Sequence, residues 1–379
     1  MKKIAFIVAV PTTAQSFLLG HFSALVKEYE VHLIANFNDN NRMQIFEDLG
    51  IKCHTIPIQR KISILLDFKC LLVLMKIFAK ERFDSVHSVT PKAGLLTAIA
   101  GRCVGIPVRI HIFTGQVWAT RIGGMKVFLK KMDRLISLLD NHILVDGESQ
   151  RRFLVKENVL SEKKGEVLAN GSICGVDLER FLVSKEIRCK ERQKKGFLDD
   201  DVVYIFLGRL NHDKGIGELY EAFNRLVLTC QKAKLLFYGV DEEGYFEKSK
   251  SYPNIVINEN FFYPGKTEKP QESLQAGDVF VMPSWREGFG SSVIEAQALG
   301  LPVITSDAYG LLDASVSGET GLRCRVNDAD GLYNCMKEYY EDSQMRKIHG
   351  ENGRKRVECL FNSKIVTDAW IDFYKRVFI

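Results

Sequence analysis

The stretch Val202-Val203-Tyr204-Ile205-Phe206-Leu207-Gly208-Arg209-Leu210-Asn211-His212-Asp213-Lys214-Gly215 decides the fold class. A short apolar run that stops at Gly208 reads as a buried strand, and an amphipathic helical pattern starts near Ile216. Strand, turn and helix in that order make the repeating unit of a parallel sheet. Working outward, the same alternation recurs. Strand-like runs fall at residues 4–10, 31–35, 85–88, 108–112, 142–145, 235–238, 279–282 and 302–305. Helical patterns fall at 17–29, 65–80, 93–104 and 126–139. Two such series are separated by the highly charged residues 181–201, which read as a junction. The expectation is an α/β chain of two doubly wound domains, 1–185 and 186–362. A last helix over 363–379 is expected to pack back toward the first domain. Ligands of such sheets bind beyond the carboxyl ends of the strands, so a cleft lined by post-strand loops is where chemistry is expected.

Composition agrees with this reading. The chain has 379 residues, 46% hydrophobic and 26% charged, which suits two globular cores and excludes disordered, collagenous and disulfide-scaffold classes. Its nine Cys are scattered without a CxxC pair, which argues against a zinc ribbon and for a reducing compartment. Residues 4–10 read as a first strand rather than as the core of a signal peptide. No run approaches the ~18 apolar residues of a membrane span. The net charge of +5 divides unevenly. Residues 1–185 hold 26 Lys+Arg against 17 Asp+Glu, and the remainder holds 26 against 30. One half is therefore expected to face an anionic surface or substrate.

Two clusters carry the chemistry. After the strand 202–207, Gly208 turns the chain, and Arg209 and Lys214 share one loop before a helix. Two cations beside a helix N-terminus suit a phosphate or diphosphate, with Arg as a fork and Lys as a point charge. No Walker A pattern is present. The second cluster is Glu287-Gly288-Phe289-Gly290-Ser291-Ser292-Val293-Ile294-Glu295, after the strand 279–282 and the turn Pro283-Ser284. Gly288 and Gly290 permit close backbone approach to a ligand. Ser291 reads as a cap or first-turn residue, with Glu295 one turn on along the same face. Carboxylates so placed can accept hydrogen bonds from sugar or ribose diols.

The order of these elements resembles the C-terminal half of the family 4 glycosyltransferases, which are retaining enzymes of the GT-B fold with two Rossmann-like domains. The resemblance rests on Gly208-Arg209, Lys214-Gly215, residues 276–284, the pair Glu287 and Glu295, residues 300–304, and Gly318 to Gly321. In the N-terminal half it rests on Thr90-Pro91-Lys92-Ala93-Gly94 and Phe113-Thr114-Gly115-Gln116-Val117-Trp118. It implies an acceptor-side N-terminal domain and a nucleotide-sugar-binding C-terminal domain. Arg209, Lys214 and Glu287 are then the residues expected to carry catalysis. Arg209 and Lys214 hold the donor diphosphate, and Glu295 takes the ribose diol. Glu287 and the amides of Gly288, Phe289 and Gly290 hold the sugar, with Gly208 and Ser291 lining the site. Tyr263, opening the loop Tyr263-Pro264-Gly265-Lys266, lies along the base. The implied reaction moves a hexose or N-acetylhexosamine from a nucleotide diphosphate sugar to an undecaprenyl-diphosphate-linked glycan with retention, in O-antigen or capsule assembly. UDP-sugar is the first choice of donor and GDP-sugar the second, with no cofactor and no metal required.

On the acceptor side, Thr114 stands before Gly115 where many relatives carry His or Glu. His111, three residues earlier, is either a site residue or a satisfied core histidine. Lys92 is a further acceptor-side candidate. The loop Pro11–Phe17 lacks the glycines common in relatives and is expected to cap a helix through Thr13 or Ser16. Asp199-Asp200-Asp201 and Asp328-Ala329-Asp330 formally fit DxD but read as solvated surface. Two basic and apolar stretches, 60–82 and 121–139, suit peripheral contact with an anionic membrane, at the inner face of the cytoplasmic membrane. No nucleic-acid-binding pattern occurs. The alternatives left open are a non-catalytic nucleotide-sugar-binding subunit and a non-hydrolysing sugar-nucleotide epimerase.

Overall fold

The computed structural model of the chain describes residues 1–37, 40–59, 62–246 and 259–378. The chain divides into two compact units, Met1–Cys174 with Ser363–Ile379, and Gly175–Asn362. Each is built on one wholly parallel sheet covered by helices on both faces. The first sheet holds β1 (Lys3–Ile7), β2 (Glu30–Ala35), β3 (Lys52–Thr55), β4 (Ser85–Val89), β5 (Val108–Phe113), β6 (His142–Val145) and β7 (Glu166–Val167), in the order β3-β2-β1-β4-β5-β6-β7. The second holds β8 (Val202–Leu207), β9 (Ala233–Tyr238), β10 (Phe261–Phe262), β11 (Val279–Met282), β12 (Val303–Ser306) and β13 (Gly321–Cys324), in the order β10-β9-β8-β11-β12-β13. This is the doubly wound, Rossmann-like arrangement expected from the sequence, present twice.

Central strands are apolar throughout because both faces are covered. In β8, the five residues Val202 to Phe206 are all buried. The four strands that the apolar pattern did not reveal, β3, β7, β10 and β13, are the four sheet edges. They span two to four residues each, and every one includes half-buried positions, beside exposed ones in β3 and β7 and buried ones in β10 and β13, so none shows a long apolar run.

The unit boundary lies at Cys174/Gly175, not at 185/186. Residues after 175 are already tied to the second unit, where Val176 donates its amide to the Phe361 carbonyl (2.7 Å). The charged stretch read as a junction is a packed helix, Lys185–Gln193. Its Arg188 and Arg192 both reach the Asp278 carboxylate, at 2.6 and 3.0 Å. The helix Ser363–Val377 belongs to the first unit. Its Trp370 is 1% exposed and stacks between His21 (4.6 Å between centroids) and His87 (5.0 Å). Burial holds both histidines below their ordinary value, His21 at about 4. The segment Pro11–Phe17 is itself helical, with Val10 at the cap position, so neither Thr13 nor Ser16 caps it.

Candidate functional site in the second unit

Four post-strand loops meet at the carboxyl end of the second sheet. The loop after β8 turns through a short 3-10 helix, His212–Lys214, and then Gly215 at φ 69°. A Cβ at Gly215 would lie 2.2 Å from the Pro283 carbonyl oxygen, so glycine is what lets this loop lie on the loop after β11. The two loops are then joined by side chains. Asp213 accepts from Arg286 Nε (2.9 Å) and Nη2 (2.6 Å), and its carbonyl accepts the Trp285 amide (2.8 Å). Trp285 packs on His212 at 4.3 Å between ring centroids. Its indole N–H donates to Glu218 (3.1 Å).

This scaffold brings Lys214 and Glu287 together. Lys214 Nζ donates to Glu287 Oε1, and Ser284 Oγ donates to the same oxygen at 2.9 Å. Both charged side chains are largely buried, at 16% and 13% exposure. A paired, hydrogen-bonded charge avoids most of the cost of its own burial. Residues 73 positions apart thus form one polar centre. Arg209 lies on the same loop but is half exposed, and its guanidinium makes two bonds to Glu242, at 2.9 and 3.0 Å. Asn211 Nδ2 donates to Glu242 at 2.7 Å, so Glu242 organises the loop. Nothing in the sequence pattern gave Glu242 or Asp213 a role, and Ser284 entered it only as part of the turn Pro283-Ser284. A polar residue after a strand becomes informative only once the loop it faces is known.

The remaining predicted residues divide. Gly290 adopts φ 88° at the N-cap of the helix Ser291–Ala298, so Ser291 is the first helical residue, not the cap. In that first turn Val293 donates its amide to the Gly290 carbonyl (2.9 Å), and the amides before it lie at the helix N-terminus, where backbone donors lack intrahelical acceptors and suit an anionic or polar ligand. Close packing holds the turn. A Cβ on Gly310 would meet the Glu287 and Gly288 carbonyl oxygens at 2.5 and 2.6 Å. Glu295 is half-buried on this helix, and burial pushes its carboxyl up to about 7 against the opposing charge of Arg180. The Phe289 side chain is 2% exposed and packs edge-on against Phe361 (5.2 Å), which leaves its backbone amide, the group expected to meet the sugar, as the part available to a ligand. Gly208 lies beside Gly239, whose Cβ would be 1.7 Å from the Gly208 carbonyl oxygen. Tyr263 stacks on Phe246 (4.1 Å) and donates its hydroxyl to the Gly239 carbonyl (2.9 Å). These contacts fix its loop next to the ends of β8 and β9.

The acceptor-side candidates lie in the first unit. His111 is a core residue on β5, 1% exposed, bonded to Ser88 Oγ (2.8 Å) and pushed down to about 3 by burial. Its ring fills the space a Cβ on Gly94 would need, at 2.4 Å, so it cannot meet a substrate. Lys92 pairs with Asp67 (2.8 Å) at the start of the helix Pro91–Val104. Thr114 and Gly115 follow β5, half-buried, with Gly115 at φ 106°. Indole N–H donation from Trp118 to buried Asp133 (2.7 Å) anchors that loop to the next helix. The two DxD-like runs are structural. Asp200 pairs with Lys232, Asp201 accepts the Leu198 amide (2.8 Å), Asp328 caps Gly331 (2.8 Å) and Asp330 pairs with Arg225.

Comparison with known proteins agrees with this arrangement. The family model "Glycosyl transferases group 1" matches residues 188–356, and "Glycosyl transferase 4-like" matches residues 3–132. The capsular polysaccharide biosynthesis glycosyltransferase CapM of Staphylococcus aureus is 33% identical over 356 residues, covering 92% of this chain and 90% of that protein. The chain belongs to the group 1 glycosyltransferases. A second relative is the Escherichia coli UDP-Gal:alpha-D-GlcNAc-diphosphoundecaprenol alpha-1,3-galactosyltransferase, 26% identical over 379 residues and covering 98% and 96% of the two chains. Anabaena HepE, solved with UDP-glucose, superposes with a TM-score of 0.79 at 17% identity over 99% and 100% of the chains. Sucrose-phosphate synthase from Thermosynechococcus elongatus gives 0.79 at 19% identity over 100% and 99%. The fold is therefore GT-B, the fold expected from the sequence.

Proposed function

We propose that this group 1 glycosyltransferase moves a hexose or N-acetylhexosamine from a nucleotide diphosphate sugar to a polyprenyl-diphosphate-linked glycan, with retention, in the assembly of a capsule or O-antigen. UDP-sugar is the first candidate donor and GDP-sugar the second. The observation that carries the reading is the Lys214–Glu287–Ser284 centre at the carboxyl end of β8 and β11. It couples a phosphate-binding cation to a sugar-binding carboxylate. The names of the relatives, one a capsular enzyme and one acting on a diphosphoundecaprenol acceptor, support the acceptor class.

The geometry supports the following roles. Lys214, steadied by Glu287, meets the donor diphosphate at the start of the helix Ile216–Val227 and stabilises charge as the leaving group departs. Arg209 exchanges its exposed pairing with Glu242 for the diphosphate, a change that costs little because surface pairs contribute about 0–1 kcal/mol. Glu287 and the first-turn amides of Ser291–Ala298 orient the sugar. Glu295 accepts from the ribose diol. These cations supply the positive charge that a metal provides in other transferases. With no enzymic nucleophile assigned, the acceptor hydroxyl attacks from the face the diphosphate leaves, and a leaving oxygen takes its proton. The enzyme would act at the inner face of the cytoplasmic membrane. No helix among the described residues is long and apolar enough to cross a membrane.

Thermal unfolding with UDP, GDP, CDP and dTDP, each with and without EDTA, tests the donor site. A ligand at ~100 times its Kd adds about 2.7 kcal/mol and raises the midpoint by several degrees. A shift with UDP that survives EDTA is expected. No shift with any nucleotide would remove the donor site, and a shift lost in EDTA would overturn the metal-free reading.

A further inference from the structure

We propose that Asp146 and Thr90 recognise hydroxyl groups of the acceptor's terminal sugar at the carboxyl end of the first sheet. Their role rests on the lipid-linked-glycan reading above, in which neither residue has a part.

Strand register brings the two near each other. β4, β5 and β6 are neighbours, with Val89 paired to Ile112 and Phe113 paired to Val145. One residue further on, Thr90 stands beside Phe113 and Asp146 beside Thr114, so the two flank the Thr114–Gly115 loop. Adjacent strands lie about 4.8 Å apart, which puts Thr90 and Asp146 about 10 Å apart, a span that one sugar with its hydroxyls can bridge. Ligands of parallel sheets bind at this end of the strands.

Both residues carry a polar atom that the protein leaves unanswered. Asp146 is 4% exposed, and its main chain is engaged. Its amide donates to Gln150 Oε1 (2.8 Å), and its carbonyl accepts the Ser172 amide (2.7 Å). Its carboxyl Oδ1 is buried with no partner, and so is Thr90 Oγ1. Buried polar atoms are normally bonded, so two without partners at neighbouring strand ends point to a ligand that bonds them. The backbone around them is held in place. Thr90 sits at φ 82° and Ser172 at φ 69°, conformations that persist only where the surroundings enforce them. Gln150 also donates to Gln116 Oε1 (3.4 Å), which ties the Asp146 segment to the loop after β5.

Asp140 supplies a contrast. It is a second buried aspartate with unbonded carboxyl oxygens, but it lies just before the amino end of β6, under the charges of Arg109 and Lys164. Asp146 has no such counter-charge. Burial alone pushes its carboxyl up to about 8, without a contribution from Glu148, Arg151 or Arg152 on the following helix, His111 on β5 or Glu166 on β7. At neutral pH it is therefore a neutral acid, with one O–H to donate and a carbonyl oxygen to accept. A sugar hydroxyl, which gives one hydrogen bond and takes another, is its complement. Lys92, two residues past Thr90, is engaged by Asp67 (2.8 Å). The pair thus suits neutral hydroxyls better than the acceptor's diphosphate. The residues proposed for the donor, Lys214, Glu287 and Glu295, all stand on the second unit, which leaves the acceptor as the sugar for this one.

The test is the initial rate of transfer from a UDP-sugar to a membrane lipid extract of varied concentration. It compares the parent with Asp146→Ala, Asp146→Asn and Thr90→Val, with thermal midpoints measured alongside. Asp146→Ala should raise the half-saturating extract concentration ~10-fold, as expected for one lost hydrogen bond that strands its partner, and leave the KM for the UDP-sugar at the parent's value. Asp146→Asn keeps a donor and an acceptor and should recover most of that loss. Thr90→Val keeps the shape without the hydroxyl and should raise half-saturation ~3-fold. It carries the test if Asp146→Ala does not fold. Unchanged half-saturation in the folded variants would assign both atoms to an ordered water and overturn the proposal. So would a rise in the donor KM alone, because the donor sugar would then own the pair. No transfer by the parent would strike the transferase reading instead, an outcome distinct from parental transfer that the variants leave untouched.

Discussion

Lys214→Met and Glu287→Gln, alone and combined, separate the structural from the chemical role of the central pair. The two side chains are 16% and 13% exposed and meet directly, with Ser284 on the same carboxylate oxygen. Removing one partner of a buried pair costs about 3–5 kcal/mol. Residual exposure places this pair nearer 2–3 kcal/mol for Lys214→Met, because Glu287 keeps Ser284 while losing its counter-charge. In a unit of this size that corresponds to a fall of very roughly 5–10 °C in the midpoint. The double variant should be less destabilised than the sum of the singles, with a coupling of about 1–3 kcal/mol. Chemistry should behave differently. On the proposed role, Lys214→Met removes the charge that meets the leaving diphosphate, and turnover should fall ~10²-fold or more in the single and the double variant alike. The assays are denaturant unfolding for the cycle and initial rates of sugar transfer at saturating donor. Additive stabilities would show that the pair is not coupled, and unchanged turnover in Lys214→Met would refute the diphosphate role.

Three further outcomes follow from individual sites. Gly215→Ala places a Cβ 2.2 Å from the Pro283 oxygen at a positive φ, so it should destabilise the second unit by at least ~2 kcal/mol and lower UDP affinity, read by unfolding and calorimetry. Glu295 has a native value of about 7, above that of the unfolded chain. The stability it contributes is present below about 4.5 and lost as pH rises through 7. Glu295→Gln should therefore gain on the order of 1–2 kcal/mol over the parent at pH 8, with the gain reduced by the side chain's partial exposure, and nothing at pH 4.5. The same variant should bind UDP about tenfold more weakly at pH 8, and equal affinity would remove the ribose role. Asp146 is 4% exposed with Oδ1 unbonded, and burial raises its carboxyl to about 8. Asp146→Asn should raise the midpoint at pH 8 and leave it unchanged near pH 4, which a pair of thermal scans would check.

How much was legible depends on where each residue sits relative to solvent. Central strands such as β8 and β11 are covered on both faces, so burial writes an unbroken apolar run into the sequence. Edge strands such as Lys52–Thr55 are covered on one side only, and their mixed pattern looks like loop. The loops proposed for the donor stood out because glycines and charges after a strand have few other reasons to recur in that order. What sequence could not supply was direction. Phe289 lies within the sugar-facing segment yet points into the core against Phe361, and His111 lies near the acceptor loop yet fills the space beside Gly94. Nor could spacing reveal partners far apart in the chain. Arg188 and Arg192 looked like linker charge until Asp278, about 90 residues on, was seen to hold them.

The most direct test of the central claim is transfer itself. Labelled UDP- and GDP-sugars are incubated with the protein and membrane lipid extract in EDTA, and label is counted in the lipid-linked glycan with its anomeric configuration determined. The account predicts incorporation from a UDP-sugar with retained configuration, reduced ~10²-fold or more by Lys214→Met. No incorporation from any donor, or equal incorporation by a folded Lys214→Met variant, would contradict it.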